Sequence, residues 1–158
     1  MDNPCVIGID PGMSTGWAYT TDNGMVIAGT WSLKEEDNHP LVVLFRSVCN
    51  LIDDVNPELV CYEEPVARGV AAKSLNRQMG VIILACEVCA TPHYPVNPGT
   101  LKKHATGRGN ATKEEMAEAL WGKRQDYVDD HNAVDAHWLA DYARSVVLPT
   151  MGAEDDDS

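Results

Sequence analysis

The chain has 158 residues, a net charge of −12 and five cysteines. Its length is that of one domain and too short for a two-lobed enzyme, and its 44% hydrophobic and 23% charged residues exclude disorder throughout. No apolar run approaches the ~18 residues of a membrane span, and the N-terminus has no apolar signal core, so neither a span nor export is predicted. The odd number of scattered cysteines favours a reducing cytoplasm over a disulfide framework.

Charge is divided unevenly along the chain. Residues 66–113 carry seven basic side chains and one acid, whereas the remainder is strongly acidic and ends in EDDD at 154–157. A basic middle third in an acidic protein is typical of a domain that meets an anionic partner such as nucleic acid. A solvated basic helix and loop is the alternative, and charge alone leaves both open.

Three strands are predicted at the start of the chain. The apolar run CVIGID at 5–10 ends at a Pro-Gly turn, and residues 15–20 and 25–33 are two further strand candidates. The tripeptide DNG at 22–24 is a hairpin signal between the last two. These three strands are therefore expected to be antiparallel.

A helix, a strand and a second helix follow. Apolar residues recur at helical spacing over 41–55, and a short buried strand is predicted at 59–62. A strand that returns after a helix implies a parallel crossover. Residues 71–90 form a long predicted helix whose second half is apolar almost all round, which indicates burial in the core or against another subunit.

Short elements complete the pattern. An edge strand is predicted at 91–96, followed by a turn or helix that carries Lys102 and Lys103. Thr112 and Glu115 form a capping box for a helix to about residue 121, and an Asp-Asp pair at 129–130 is expected to cap a last helix to about residue 147. This order predicts an α/β domain over residues 1–149, with a mixed sheet flanked by helices, and a disordered acidic tail over 150–158.

Acidic residues end two buried strands and lie on the buried face of the last helix. Asp10 ends the first strand and Glu63 the fourth, so parallel neighbours would bring both to one end of the sheet. Asp135 precedes the core-facing Trp138 and Leu139 by three and four residues. An unpaired charge there costs several kcal/mol, so Asp135 needs either an arginine or a bound cation.

A divalent cation relieves the repulsion between three gathered acids. Hard oxygen ligands select Mg²⁺ or Mn²⁺ over Zn²⁺. Two such ions held by shared carboxylates activate a water and stabilise the leaving oxygen of a phosphodiester. Acids for metal beside a basic segment for phosphate predict a metal-dependent nuclease.

Several motifs, spanning residues 7 to about 143, resemble a known family in the family's order. They are IGIDPG at 7–12, STGWA at 14–18, YEEP at 62–65, KKHATGRGNATK at 102–113 and NAVDA at 132–136. The chain resembles the RuvC-like Holliday-junction resolvases of the RNase H-like superfamily, particularly the short phage versions. The resemblance implies an RNase H-like fold of five strands and a homodimer that nicks four-way DNA junctions in pairs.

The resemblance also implies the site. Two Mg²⁺ ions, which Mn²⁺ can replace, are expected in it. Catalysis and metal binding fall on four residues: Asp10, Glu63, Asn132 and Asp135. The family's two DNA-contacting lysines fall on Lys102 and Lys113. With the other basic residues of the middle segment, the predicted DNA-binding set is Arg68, Lys73, Arg77, Lys102, Lys103, Arg108 and Lys113.

Departures from the family pattern leave alternatives open. The family usually has Asp, or sometimes His, where this chain has Asn132, so Asp130 and His131 are secondary candidates to complete the metal site. Glu64 is the alternative to Glu63, although strand alternation sends it to the other face. Because a site that lacks one acid can be inactive, a non-catalytic branched-DNA-binding protein on the same fold is the alternative function. An ATP-binding domain of the actin and sugar-kinase type has a similar first motif but needs a longer, two-lobed chain.

Overall fold

The computed structural model describes residues 3–34, 39–66, 68–121 and 131–155. Within these ranges, five strands form one sheet in the order β3-β2-β1-β4-β5. The strands are β1 (Val6–Asp10), β2 (Ser14–Thr20), β3 (Val26–Ser32), β4 (Leu59–Glu63) and β5 (His93–Val96). The helices are α1 (Pro40–Val55), α2 (Val70–Val88), α3 (Pro98–Thr106), α4 (Lys113–Trp121), α5 (His131–Tyr142) and α6 (Leu148–Asp155), with a π-helical turn (Ala143–Val147) between the last two.

The mixed α/β sheet predicted from the sequence is confirmed. Strands β1, β2 and β3 are antiparallel, whereas β4 pairs in parallel with β1 and β5 in parallel with β4. Gly24 takes a left-handed φ of 84° in the β2–β3 turn, a conformation that glycine adopts without steric cost. The proline-containing strand β5 lies at an edge, where a missing N–H disrupts no ladder.

Helices cover both faces of the sheet. Helices α1 and α2 pack on one face, and α3, α4 and α5 pack on the other. Residues 6–9 of β1 and 59–62 of β4 are all buried. Because both faces of these central strands are covered, their sequences are continuous apolar runs rather than alternating ones.

Helix α5 packs directly against the backbone of β1 and β2 at two glycines. A Cβ atom at Gly8 would lie 2.5 Å from the carbonyl oxygen of Ala136 and 2.6 Å from the amide nitrogen of Ala140. At Gly16 a Cβ atom would overlap the carbonyl oxygen of Asn132. Only glycine permits this close approach, which brings α5 down onto the ends of the strands.

The C-terminal segment differs from the prediction. Residues 150–155 were expected to be disordered, but they are helical as part of α6, and residues 156–158 lie outside the described ranges. In the π-helical turn, the N–H of Leu148 donates to the carbonyl of Ala143, five residues earlier. Pro149 then falls in the first turn of α6, where its missing N–H is tolerated, so it does not end the helical path. The domain limit at residue 149 stays a prediction.

The two predicted helix caps have different outcomes. The hydroxyl of Thr112 accepts a 3.2 Å hydrogen bond from the N–H of Glu115, which is one half of the predicted capping box. The carboxylate of Glu115 pairs with Arg108. The cap expected from the Asp-Asp pair at 129–130 lies outside the described residues.

No helix in the described part of the chain is both long and apolar enough to cross a membrane.

Candidate active site

Three acidic residues meet where β1 and β4 end. Asp10 is the last residue of β1 and Glu63 the last of β4, and the parallel pairing of these strands puts both at the same end of the sheet. Asp135 reaches them from α5, which packs on Gly8 and Gly16. One carboxylate oxygen from each acid lies within 4.8 Å of the other two. The structure thus brings together three of the four predicted site residues.

Burial makes Glu63 and Asp135 reluctant to ionise. Burial, reinforced by the negative charge of Asp135, raises the pKa of Glu63 to about 7, and Lys102 opposes this rise. Burial also raises the pKa of Asp135, against the opposing charges of Lys113, Lys102 and His131. Desolvation is the main cause of both shifts, and a cation bound between the carboxylates would favour their ionised forms.

The geometry of the three acids fits a hard divalent cation. Two oxygens on opposite sides of a Mg²⁺ ion are ~4.2 Å apart, and Mn²⁺ accepts the same ligands. The 4.8 Å limit on the carboxylate oxygens is within a small side-chain adjustment of that span. An all-oxygen ligand set does not suit Zn²⁺, which takes nitrogen and sulfur ligands in most protein sites.

The raised pKa of Glu63 predicts a pH-dependent stability. The folded, metal-free protein keeps this proton up to about pH 7, whereas an unfolded glutamate loses it near pH 4.5. Because the folded state binds more protons in this window, the free energy of unfolding falls as the pH rises through it. Glu63→Gln, which cannot ionise, is expected to stabilise the EDTA-treated protein by ~1–3 kcal/mol at pH 8 and to have little effect at pH 4.5.

Thermal unfolding at the two pH values measures this effect. Glu64→Gln is the matched control, because Glu64 is the exposed neighbour of Glu63 and is not part of the acidic cluster. Equal unfolding midpoints for the parent and Glu63→Gln at pH 8 would contradict the expectation.

A cavity of about 320 Å³ opens beside the acids. Asn97 caps helix α3, since its side chain accepts a 2.8 Å hydrogen bond from the N–H of Gly99, and Thr112 caps α4. These two helix starts bring Lys102 and Lys113 into the cavity. Its lining residues are Glu63, Pro98, Leu101, Lys102, Ala111, Thr112, Lys113, Met116 and Asp135.

The other predicted DNA-binding residues do not line the cavity. Lys103 is exposed on α3 and does not line the cavity. Arg108 is exposed in the loop before α4 and pairs with Glu115. Three further basic residues are exposed in the first half of α2 and in the loop before it: Arg68, Lys73 and Arg77.

Asn132 and the secondary candidates for the metal site lie in different places. Glu64 is exposed and gives its backbone N–H to the carbonyl of Val96, so Glu63 is the glutamate in the acidic cluster. Asn132 is half-buried one turn before Asp135, with its backbone carbonyl against Gly16. His131 is exposed and lies near enough to lower the pKa of Asp135. Asp130 lies outside the described residues.

Sequence reasoning missed the residues that hold the site together from outside it. Gly8 and Gly16 permit the close packing of α5 against β1 and β2. In the sequence, the only signal of this contact was a glycine within each of these two strands. The indole N–H of Trp138 donates to the carbonyl of Met116 at 3.1 Å and thereby ties α5 to α4. Trp138 was predicted to be a core residue, and it is 1% exposed.

The sheet order and its acidic end define an RNase H-like α/β domain. No protein-family model matches the chain. The RuvC crossover junction endodeoxyribonuclease of Nitratidesulfovibrio vulgaris is 31% identical over 133 residues, 77% of this chain and 80% of the relative. That of Salinibacter ruber is 28% identical over 147 residues, 85% of this chain and 82% of the relative. The chain belongs to the RuvC family of crossover junction endodeoxyribonucleases.

A solved structure agrees with this fold. Thermus thermophilus RuvC, in its complex with a Holliday junction substrate, matches with a TM-score of 0.73 at 23% sequence identity. The match covers 93% of this chain and 97% of that one. Nearly the whole chain therefore has the fold of that protein.

Proposed function

We propose that this protein is a metal-dependent endonuclease that resolves four-way DNA junctions by paired nicks. The observation that carries the proposal is the meeting of Asp10, Glu63 and Asp135 beside Lys102 and Lys113. The family membership and the junction-bound relative support branched DNA as the substrate. A merely DNA-binding domain has no need to gather three carboxylates where phosphates, which carry the same charge, would lie.

The acids are assigned to cation binding and the lysines to phosphate. Asp10, Glu63 and Asp135 hold two Mg²⁺ or Mn²⁺ ions, with the amide oxygen of Asn132 as a further, uncharged ligand. When bound, such ions activate a water and stabilise the leaving oxygen of the phosphodiester. Lys102 faces both Glu63 and Asp135, so a phosphate oxygen that it binds lies next to the acids.

The remaining basic residues extend the phosphate path away from the cavity. Arg68, Lys73 and Arg77 lie on the first half of α2 and the loop before it, and all three are exposed. They suit contacts to the backbone of the junction arms, which set orientation rather than sequence preference.

We also propose a homodimer through the exposed side of α2. In the second half of α2, Leu84 and Val88 lie on one helical face, form a short apolar strip and are 52% and 62% exposed. The opposite face packs Ile82 and Cys86 into the core, so this apolar strip is left without a partner within the described chain. A second copy on the strip would supply the second site that paired nicking requires.

A labelled four-way junction tests the proposed function. With Mg²⁺ or Mn²⁺ we expect nicks in two opposite strands, and much slower cutting of a fork or linear duplex with the same arms. A cruciform plasmid should be linearised rather than left as a nicked circle, because a dimer cuts both strands in one binding event. Junction binding without nicking at any metal concentration would instead favour the non-catalytic branched-DNA-binding protein.

A further inference from the structure

A polar network ties α3 to α5 on the side of α3 away from the acids. The Nε2 atom of His104 lies 2.8 Å from Oδ2 of Asp141. Because a carboxylate only accepts, the imidazole N–H donates. His104 and Asp141 are about four-fifths buried, with 19% and 23% of their side chains exposed. Little water is available to replace this contact, so it is worth more than a surface ion pair.

Arg144 fixes the carboxylate that His104 contacts. Its Nη2 donates to Oδ1 of Asp141 at 3.3 Å, and its Nη1 donates to the carbonyl oxygen of Gly24 at 3.3 Å. Asp141 is therefore held from two sides, by α3 through His104 and by the β2–β3 turn through Arg144. The network joins three parts of the fold that are distant in sequence.

Aromatic contacts set the orientation of the imidazole ring. The ring of His104 meets Tyr142 edge-on at 5.1 Å and Trp138 edge-on at 6.0 Å. Trp138 in turn anchors α4 through the carbonyl of Met116. His104 thus contacts the helix that carries Asp135, one to two turns beyond that acid.

The network bears on the site through the position of Lys102. Helix α3 has nine residues, and His104 follows Lys102 by two positions. Lys102 lines the acidic cavity while His104 contacts α5. A short helix held on one side by His104 has little freedom to rotate or retreat, so the lysine stays over the acids.

We propose that His104 and Asp141 are positioning residues that hold Lys102 over the acidic cluster, where it binds a junction phosphate. The inference rests on the proposed nuclease function. Neither residue lines the acidic cavity, so neither is expected to touch DNA or the reacting atoms.

Four variants test the inference: His104→Ala, His104→Gln, Lys102→Gln, and the double variant His104→Ala with Lys102→Gln. His104→Ala is expected to slow single-turnover junction cleavage ~10-fold and to make the slope of log Kd against log salt, measured in EDTA, shallower by ~0.9, the loss of about one phosphate contact. His104→Gln, whose amide reaches the same carboxylate, should recover most of both effects. The double variant should match Lys102→Gln alone, because His104 acts through that lysine.

The outcomes separate this inference from the proposed function. His93→Ala is the control, since His93 contacts Glu87 at 3.8 Å at the start of β5 and does not line the cavity. If His104→Ala folds and leaves the rate and salt slope unchanged, or if its effects add fully to those of Lys102→Gln, the inference is wrong. If His104→Ala fails to fold, His104→Gln and Asp141→Asn decide by the same slope. A parent protein that neither binds nor nicks junctions overturns the proposed function itself.

Discussion

Asp10→Asn is expected to lower the rate of junction cleavage by ~10³-fold, because losing one charged ligand of a catalytic cation costs several kcal/mol of transition-state stabilisation. The variant keeps the shape of the side chain at the end of β1 but replaces the carboxylate by a neutral amide. Junction affinity in EDTA should be retained or slightly increased, since a negative charge has been removed from the neighbourhood of the phosphates. Single-turnover cleavage and equilibrium binding, measured on the same labelled junction, separate the two effects.

The matched control is Asp22→Asn. Asp22 is an exposed aspartate in the β2–β3 turn, at the opposite end of the sheet from Asp10. The Asp22→Asn variant makes the same change of charge without altering the acidic cluster, so its cleavage rate should equal that of the parent. An Asp10→Asn variant that cuts as fast as the parent would show that the metal assignment is wrong.

Reversing the charges of Lys102 and Lys103 together is expected to weaken junction binding ~10–100-fold and to flatten its salt dependence. Each phosphate contact that is lost lowers the slope of log Kd against log salt by ~0.9, so a change of up to about two is expected. The two single variants should not be equal. Lys102 lines the acidic cavity and Lys103 does not, so Lys102→Glu should have the larger effect on cleavage.

Arg46→Glu controls for the added net charge. Arg46 is exposed on α1, on the sheet face opposite to α3, and its reversal changes the charge of the protein by the same amount as either single lysine variant. If Arg46→Glu flattens the salt dependence as much as Lys102→Glu does, the effect is long-range repulsion in an acidic protein. An unchanged slope in the double lysine variant would remove the proposed DNA path.

Local sequence patterns predicted the strands and the acidic ends of two of them. The apolar runs before Asp10 and Glu63 are continuous because both faces of β1 and β4 are covered. The family resemblance and the alternation of side chains along a strand favoured Glu63 over Glu64, and the structure puts Glu63 in the acidic cluster. The helical spacing from Trp138 and Leu139 placed Asp135 on the inner side of α5, where it meets the other acids.

Side-chain pairing and helix ends were less predictable. Glu115 was expected to close its own capping box, but its carboxylate pairs with Arg108, because long exposed side chains bind whichever partner the folded surface brings near. Helical structure was expected to end near residue 147, but it continues through Pro149. The preceding π-helical turn shifts the hydrogen-bond register, and no local pattern in the sequence predicts such a turn.

The sequence by itself determined the strands, the longer helices and which of their side chains point inward, because periods of two and of about 3.6 residues are properties of the local backbone. Only the tertiary structure decided the distances between those elements. The approach of α5 over Gly8 and Gly16 brings Asp135 to the strand ends, and the contact from His104 to Asp141 spans 37 residues. Such contacts depend on how helices pack against the sheet, which is set by the whole core and not by any one segment.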